Sequence, residues 1–171
     1  MIAQNDGKMG KMPYLIDGHN LIPKVPGLSL GAMDDELSLI DQLQVFCRIS
    51  RQQVEVYFDG APAGQAGTRR YGQIPVHFVR LGRTADDAIA ERLARLGRAA
   101  RNWRVVSSDR RVQAETRARG AEVVTSEVFA AEMRAAQARA DEQPGGADRK
   151  LSSDEVDDWL DLFNRGNEKP G

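Results

Sequence analysis

Apolar residues in this chain gather in short runs separated by amphipathic stretches. Residues 14–16, 54–58, 76–81, 104–106 and 121–124 are continuously apolar or alternate with polar ones, the pattern of short, largely buried strands. Leu39, Ile40, Leu43, Phe46 and Ile49 recur at three- and four-residue spacing, as do Ile89, Leu93 and Leu96, and each set predicts an amphipathic helix. Val112 and the alanine-rich stretch after it predict a third helix. Ser126 can cap a fourth, which carries Phe129 and Met133. The order strand–helix–strand–strand–helix–strand–helix–strand–helix predicts an α/β fold whose mostly parallel sheet is covered on both faces. By composition, residues 60–73, G-A-P-A-G-Q-A-G-T-R-R-Y-G-Q, predict a flexible loop.

At 171 residues the chain has room for one domain with a real core, plus tails. The expected divisions are a disordered leader over 1–12, the domain over 13–140, a linker over 141–150 and an acidic tail over 151–171. Ser153 can cap a short tail helix whose Val156, Trp159, Leu160 and Phe163 form one apolar stripe. Such a stripe is expected to pack on the chain's own domain or on a protein partner. No apolar run approaches the ~20 residues that span a bilayer, and residues 1–12 lack the apolar core of a secretory signal. The single cysteine, Cys47, excludes an internal disulfide and suits a reducing cytosol. Its place in a helical apolar pattern predicts a small buried residue. A cytoplasmic protein with no membrane contact is expected.

Net charge is -1, but from Asp141 onward there are 9 acidic and 4 basic residues, which leaves 16 acidic against 20 basic in the body. A mildly basic body suits a polyanionic substrate.

Within that basic body, aspartate closes three strand-like runs: Y-L-I-D at Asp17, V-E-V-Y-F-D at Asp59 and W-R-V-V-S-S-D at Asp109. A fourth acidic spot, T-A-D-D at Asp86 and Asp87, opens a helical stretch. Each has a local alternative. Asp-Gly makes turns, Asp109 can cap the helix after it, and a helix N-terminus favours negative charge at Asp86 or Asp87. Together they place several carboxylates at the carboxyl ends of strands, where ligands bind in open α/β sheets, and where they cannot all stay ionised without a cation. Oxygen donors suit Mg²⁺ or Mn²⁺, and neither a histidine cluster nor paired cysteines offers a zinc site. Two such ions about 4 Å apart can drive in-line cleavage of a phosphodiester. No Walker loop, dinucleotide fingerprint or serine nucleophile elbow competes.

The runs Y-L-I-D-G-H-N, V-Y-F-D-G, H-F-V-R-L-G-R-T-A-D-D-A-I and V-V-S-S-D-R-R-V resemble the YacP-like NYN domain, a branch of the PIN-like metal-dependent nucleases, over about residues 13–133. The resemblance implies a Rossmann-like three-layer α/β/α sandwich, a Mg²⁺ or Mn²⁺ site and cleavage of single-stranded RNA, linked in some members to ribosomes. Carried over residue by residue, it makes Asp17, Asp86 and Asp109 metal-binding acids, with Asp87 beside them. Asp59 becomes the acid after the second strand and Asn20 the asparagine after the first. His19 stands where the family often carries an aromatic, and its ring could stack a base, contact a phosphate or fill space. With Ser108 beside Asp109, these residues complete the expected substrate face.

Arg69, Arg70 and Tyr71 in the 60–73 segment, with Arg80 and Arg83 ahead of T-A-D-D, can hold RNA by phosphate pairing and base stacking, or serve only solubility. His77 is expected to be structural and Trp103 a core edge. The expected activity is that of a divalent-metal-dependent endoribonuclease, with RNA and ribosomes as partners. The rival is a non-catalytic RNA- or ribosome-binding module on the same fold. A third reading, a metal-dependent phosphatase of small phosphate esters, is opposed by the sequence. Aspartyl-nucleophile phosphatases carry a second aspartate two residues after the first, and none stands there after Asp17, with Asn20 one place further on.

Overall fold

The computed structural model describes residues 11–28 and 34–142. The chain divides into two compact units, Met1–Arg134 and Ala135–Gly171. The sheet belongs to the first, and the described part of the second is the end of one helix. The expected leader, linker and tail fall outside the described residues, except at 11, 12, 141 and 142.

Strand β1 (Tyr14–Asp17) runs into a single helical turn, α1 (Gly18–Leu21). Helix α2 (Asp35–Ser50) leads to β2 (Val54–Ala61), then to the hairpin β3 (Gly67–Tyr71) and β4 (Ile74–Arg80). Helix α3 (Ala85–Leu96), β5 (Arg104–Val106), α4 (Arg110–Ala118), β6 (Glu122–Val124) and α5 (Ser126–Glu142) complete the order. The six strands lie in the order β3-β4-β2-β1-β5-β6, all parallel except β3 against β4. The five predicted strands are therefore present. The predicted loop over 60–73 is not a loop throughout, because β2 continues to Ala61 and β3 occupies Gly67–Tyr71. That strand has no buried face to give it an apolar alternation, so its glycine-rich surroundings masked it.

Period-two alternation sorts the strand residues into two cores. On one face Leu15, Tyr57, Val79 and Val105 pack with Ala85, Ile89 and Leu93 of α3 and Val112 of α4, while Trp103 lies partly buried against them. On the other, Tyr14 meets Phe129 of α5 edge-on at 4.9 Å, and Phe129 meets Phe46 of α2 at 5.1 Å. Helices thus cover both faces, which gives the three-layer α/β/α sandwich.

Among the buried polar residues, Glu55 is held by a network of side chains away from the carboxyl ends of the strands. Glu55 accepts from Arg92 Nη2 at 2.9 Å and from Tyr57 Oη at 3.3 Å, and lies 3.1 Å from His77 Nε2. The other His77 nitrogen, Nδ1, lies 2.8 Å from Thr68 Oγ1. Burial alone would raise the Glu55 carboxyl, but hydrogen bonds and charge from His77 and Arg92 hold it at about 2. Burial pushes the half-buried Cys47 thiol up to about 11, so it stays protonated and inert near neutral pH.

Candidate active site

The sheet grows from β1 in both directions: through β2 and β4 on one side, then through β5 and β6 on the other. The reversal leaves a crevice at the carboxyl ends of β1 and β5. Asp17 is the last residue of β1, and Asp109 lies three residues past the end of β5.

Asp17 is 7% exposed. Its carboxyl is pushed up to about 6, chiefly by burial and then by Asp86. The Ser107 hydroxyl, which donates to Oδ2 at 3.3 Å, and the nearby Asn20 backbone amide pull it back, and Asp59 adds a further upward push. The glycine that follows has a packing reason rather than a turn reason: its backbone has no positive φ, and a methyl at Gly18 would overlap the Phe58 ring.

Asp59 is aimed by an irregularity. The register between β2 and β4 shifts between Phe58 and Ala61, and Gly60 takes φ 79°, a bulge of the kind that redirects side chains beside functional sites. Asp59 Oδ1 lies 2.9 Å from His19 Nδ1, while Oδ2 accepts from the Ala85 amide at 3.4 Å. It therefore touches the first residue of the helix that carries Asp86. His19 Nε2 lies 2.9 Å from Glu36 Oε1. Burial works against a charged His19 ring, but bonds to Glu36 and Asp59 outweigh it and the ring's pKa rises.

Thr84 caps α3 by accepting from the Asp87 amide at 3.0 Å, so neither Asp86 nor Asp87 is needed for that task. The Asp86 carboxyl is raised by burial and then by Asp109, against the pull of Arg111, with Asp59 and Asp87 adding to the rise. Asp109 does cap α4, through Oδ1, which accepts from Arg111 and Val112. Capping and the mutual repulsion of the acids coexist at this residue.

Asn20 and Ser108 are bound into the scaffold. Asn20 Oδ1 accepts from the Ser108 amide at 2.7 Å and from Ser126 Oγ at 2.6 Å, joining the ends of β1 and β5 to the start of α5. Ser108 Oγ bonds Glu127 and accepts from the Ser126 amide at 3.0 Å. Glu36, Ser107, Arg111 and Ser126 are site residues that sequence reasoning did not single out. Ser107 and Arg111, which flank Asp109 in sequence, carried a signal, and Ser126 carried one only as a helix cap. That cap is Thr125, whose Oγ1 accepts from the Val128 amide at 3.1 Å, which leaves the Ser126 hydroxyl for Asn20.

The arginines divide. Arg69 lies over the Phe78 ring at 4.7 Å and donates to the Gln65 carbonyl. Phe78 stacks on Phe58 at 5.8 Å, and Phe58 lies 5.2 Å from the His19 ring, so an aromatic row leads from Arg69 toward the acids. Arg70, opposite Pro75, lies at the amino ends of the parallel strands, about 13 Å along the sheet from Asp59. The structure does not bring it to the acids. Arg83 pairs with Glu91 at 2.6 Å between two half-exposed side chains.

Among the described residues no group of three or more His, Cys, Asp or Glu is placed to hold a metal ion between them. The acids repel one another without closing into a ligand shell. The donor chemistry still fits a hard cation: all are oxygens, and the Asp17 carboxyl is raised chiefly by burial, with Asp86 and Asp59 adding to the rise. Mg²⁺ commonly uses one or two carboxylates and keeps several waters.

An open, mostly parallel α/β/α sandwich with acids gathered at its strand ends defines the Rossmann-like class to which PIN-like domains belong. The chain is a member of the YacP-like NYN domain family, whose model matches residues 14–163. That places it among nuclease-like, RNA-related domains. Solved structures share the fold. The crystal structure of a tryptophan-to-leucine mutant of Rae1 (YacP) from Bacillus subtilis is 24% identical, with TM-score 0.64, over 75% of this chain and 79% of that one. A second crystal structure of Rae1 (YacP) from Bacillus subtilis is 24% identical, with TM-score 0.61, over 90% and 95%. No curated protein matches. Among the described residues no helix is long and apolar enough to cross a membrane.

Proposed function

We propose that this chain is a cytoplasmic, divalent-metal-dependent endoribonuclease that hydrolyses phosphodiester bonds of single-stranded RNA. The observation that carries this reading is the Asp17 carboxyl, buried and pushed up to about 6 beside Asp86 and Asp59. A buried carboxylate repelled by its neighbours is costly unless a cation completes it.

Asp17 and Asp86 would hold Mg²⁺ or Mn²⁺, with Asp109 and Asp87 beside them. Such an ion, when bound, supplies positive charge to the phosphate and to the attacking water. The chain's own residues set the stage for it. Ser107 fixes the Asp17 carboxylate from one side. Asp59, held by His19, steadies the first residue of α3 and so the position of Asp86. Arg69 and the ring of Phe78 offer a phosphate contact and a stacking surface. Asn20 and Ser108 shape the floor of the site through the bonds that join its loops.

The test is incubation of purified protein with labelled single-stranded RNA in Mn²⁺, in Mg²⁺ and in chelator. Cleavage with metal and none with chelator is the expected result; cleavage that ignores chelator overturns it. The bonds already made by Asp59 and Asp109 favour a second reading, a module that binds RNA without turnover. Retention of uncut RNA under all three conditions would establish that reading. Cosedimentation with ribosomes tests the finer partner.

A further inference from the structure

At the amino ends of the parallel strands, remote from the acids, lies a cleft of about 890 Å³. Arg48 and Arg51 line it from the end of α2 and Arg70 from β3, together with Gln44, Gln53 and Trp103. Among the described residues neither Arg48 nor Arg51 has an acidic partner. Arg70 commits one nitrogen to the Gln73 carbonyl at 3.3 Å. The acid in the lining, Glu55, is already engaged by Arg92 and His77. Three guanidiniums thus share a concave space whose carboxylate cannot neutralise them, an arrangement that concentrates anions.

Arg51 carries a further mark. It ends α2 in the left-handed conformation, φ 58° and ψ 29°, and is the one non-glycine residue with positive φ among those described. Glycine or asparagine takes that position at lower cost. The left-handed turn closes α2 and leaves Arg51 in the lining of the cleft.

We propose that this cleft binds a nucleoside phosphate. The three arginines would take the phosphate, which guanidinium recognises bidentately. The amides of Gln44 and Gln53 would reach base edges, and the half-buried Trp103 ring would supply an apolar wall. Size favours a nucleotide over a bare anion, since clefts of roughly 300–1,000 Å³ hold organic ligands. The nucleoside phosphate can be a free mononucleotide or one unit of an RNA strand. None of the acids takes part, so this inference stands whether or not they cleave RNA.

The experiment follows backbone amide NMR shifts of the full chain titrated with AMP, with inorganic phosphate and with a short single-stranded RNA. AMP is expected to shift amides of residues 44–54 and 70–75 and to leave those of Asp17, Asp86 and Asp109 in place. Arg48→Ala with Arg51→Asn, the latter tolerant of the left-handed backbone, should weaken AMP about tenfold or more. Arg48→Ala alone repeats the test should the double variant misfold. Displacement of AMP by the RNA assigns the cleft to a strand, and its failure to displace AMP assigns it to free nucleotide. No shifts in the cleft, unchanged AMP affinity in the variants, or phosphate binding as tight as AMP overturns the proposal.

Discussion

His19 Nδ1 and Asp59 Oδ1 meet at 2.9 Å across the carboxyl ends of β1 and β2, while the other nitrogen of the same ring lies 2.9 Å from Glu36. One imidazole therefore separates two carboxylates and fixes the rotamer of the one that steadies α3.

Replacing His19 by Ala should cost little stability, about 1 kcal/mol or less. The freed side chains, 35% exposed at Glu36 and 40% at Asp59, can hydrate. Catalysis should suffer more, with kcat falling while KM holds, because a positioning group is lost. A rise in KM at constant kcat would make His19 a direct RNA contact.

Asp17→Asn and Asp86→Asn are each expected to abolish metal-dependent cleavage while the protein stays folded. Rates equal to wild type at limiting metal would remove these residues from the site.

The same Asp17 substitution has a signature in stability. A carboxyl raised from 3.8 to about 6 on folding favours the native state while protonated, and that advantage disappears as pH rises through 6. In chelator, Asp17→Asn should therefore gain on the wild type by roughly 3 kcal/mol above pH 6, with little difference below pH 4. Melting both proteins at pH 4, 5 and 7 checks the sign. Equal melting temperatures at all three would show that the burial is relieved some other way.

Glu55 has the opposite sign. Lowered from 4.5 to about 2 in the native state, it contributes stability above pH 4.5 that is lost as pH falls toward 2. Glu55→Gln should cost roughly 3 kcal/mol at neutral pH, since Arg92 and His77 lose their shared anion. Urea denaturation of the variant, with Arg92→Met and the double mutant to close the cycle, measures the coupling.

Arg69→Ala should weaken single-stranded RNA binding and reduce the slope of log affinity against log salt by about 0.7, one phosphate contact. An unchanged slope would leave Arg69 with only its contacts to Phe78 and Gln65.

The fold was legible wherever burial imposed a period. Leu39, Leu43 and Phe46, or Ile89 and Leu93, advertise their helices because one face is dry, and β1 and β2 are buried along most of their length. β3 was not legible, since its side chains meet solvent and no alternation is required. In the site, the strand-end aspartates stood out because acids rarely close apolar runs. Glu36 did not, because an acid in a first helical turn needs no special reason. Its bond to His19 depends on how α2 meets β1, which sequence spacing does not encode. The bulge at Asp59 was hidden for a related cause: F-D-G reads equally as a turn, and only pairing with β4 shows the extra residue.

β3 also has a bearing on how the protein behaves in a crowded solution. Among the described residues it and β6 are the two outer strands of the sheet, the places where another chain's backbone can add on. β6 is three residues long, too short to be an inviting template. β3 is longer, but it shows exposed Arg69 and Arg70, and like charges stacked between copies resist strand addition. Exchanging both for valine would leave a five-residue outer strand with β-branched side chains and no guard. Self-assembly would then be the fault to look for first, before any loss of nucleic-acid affinity.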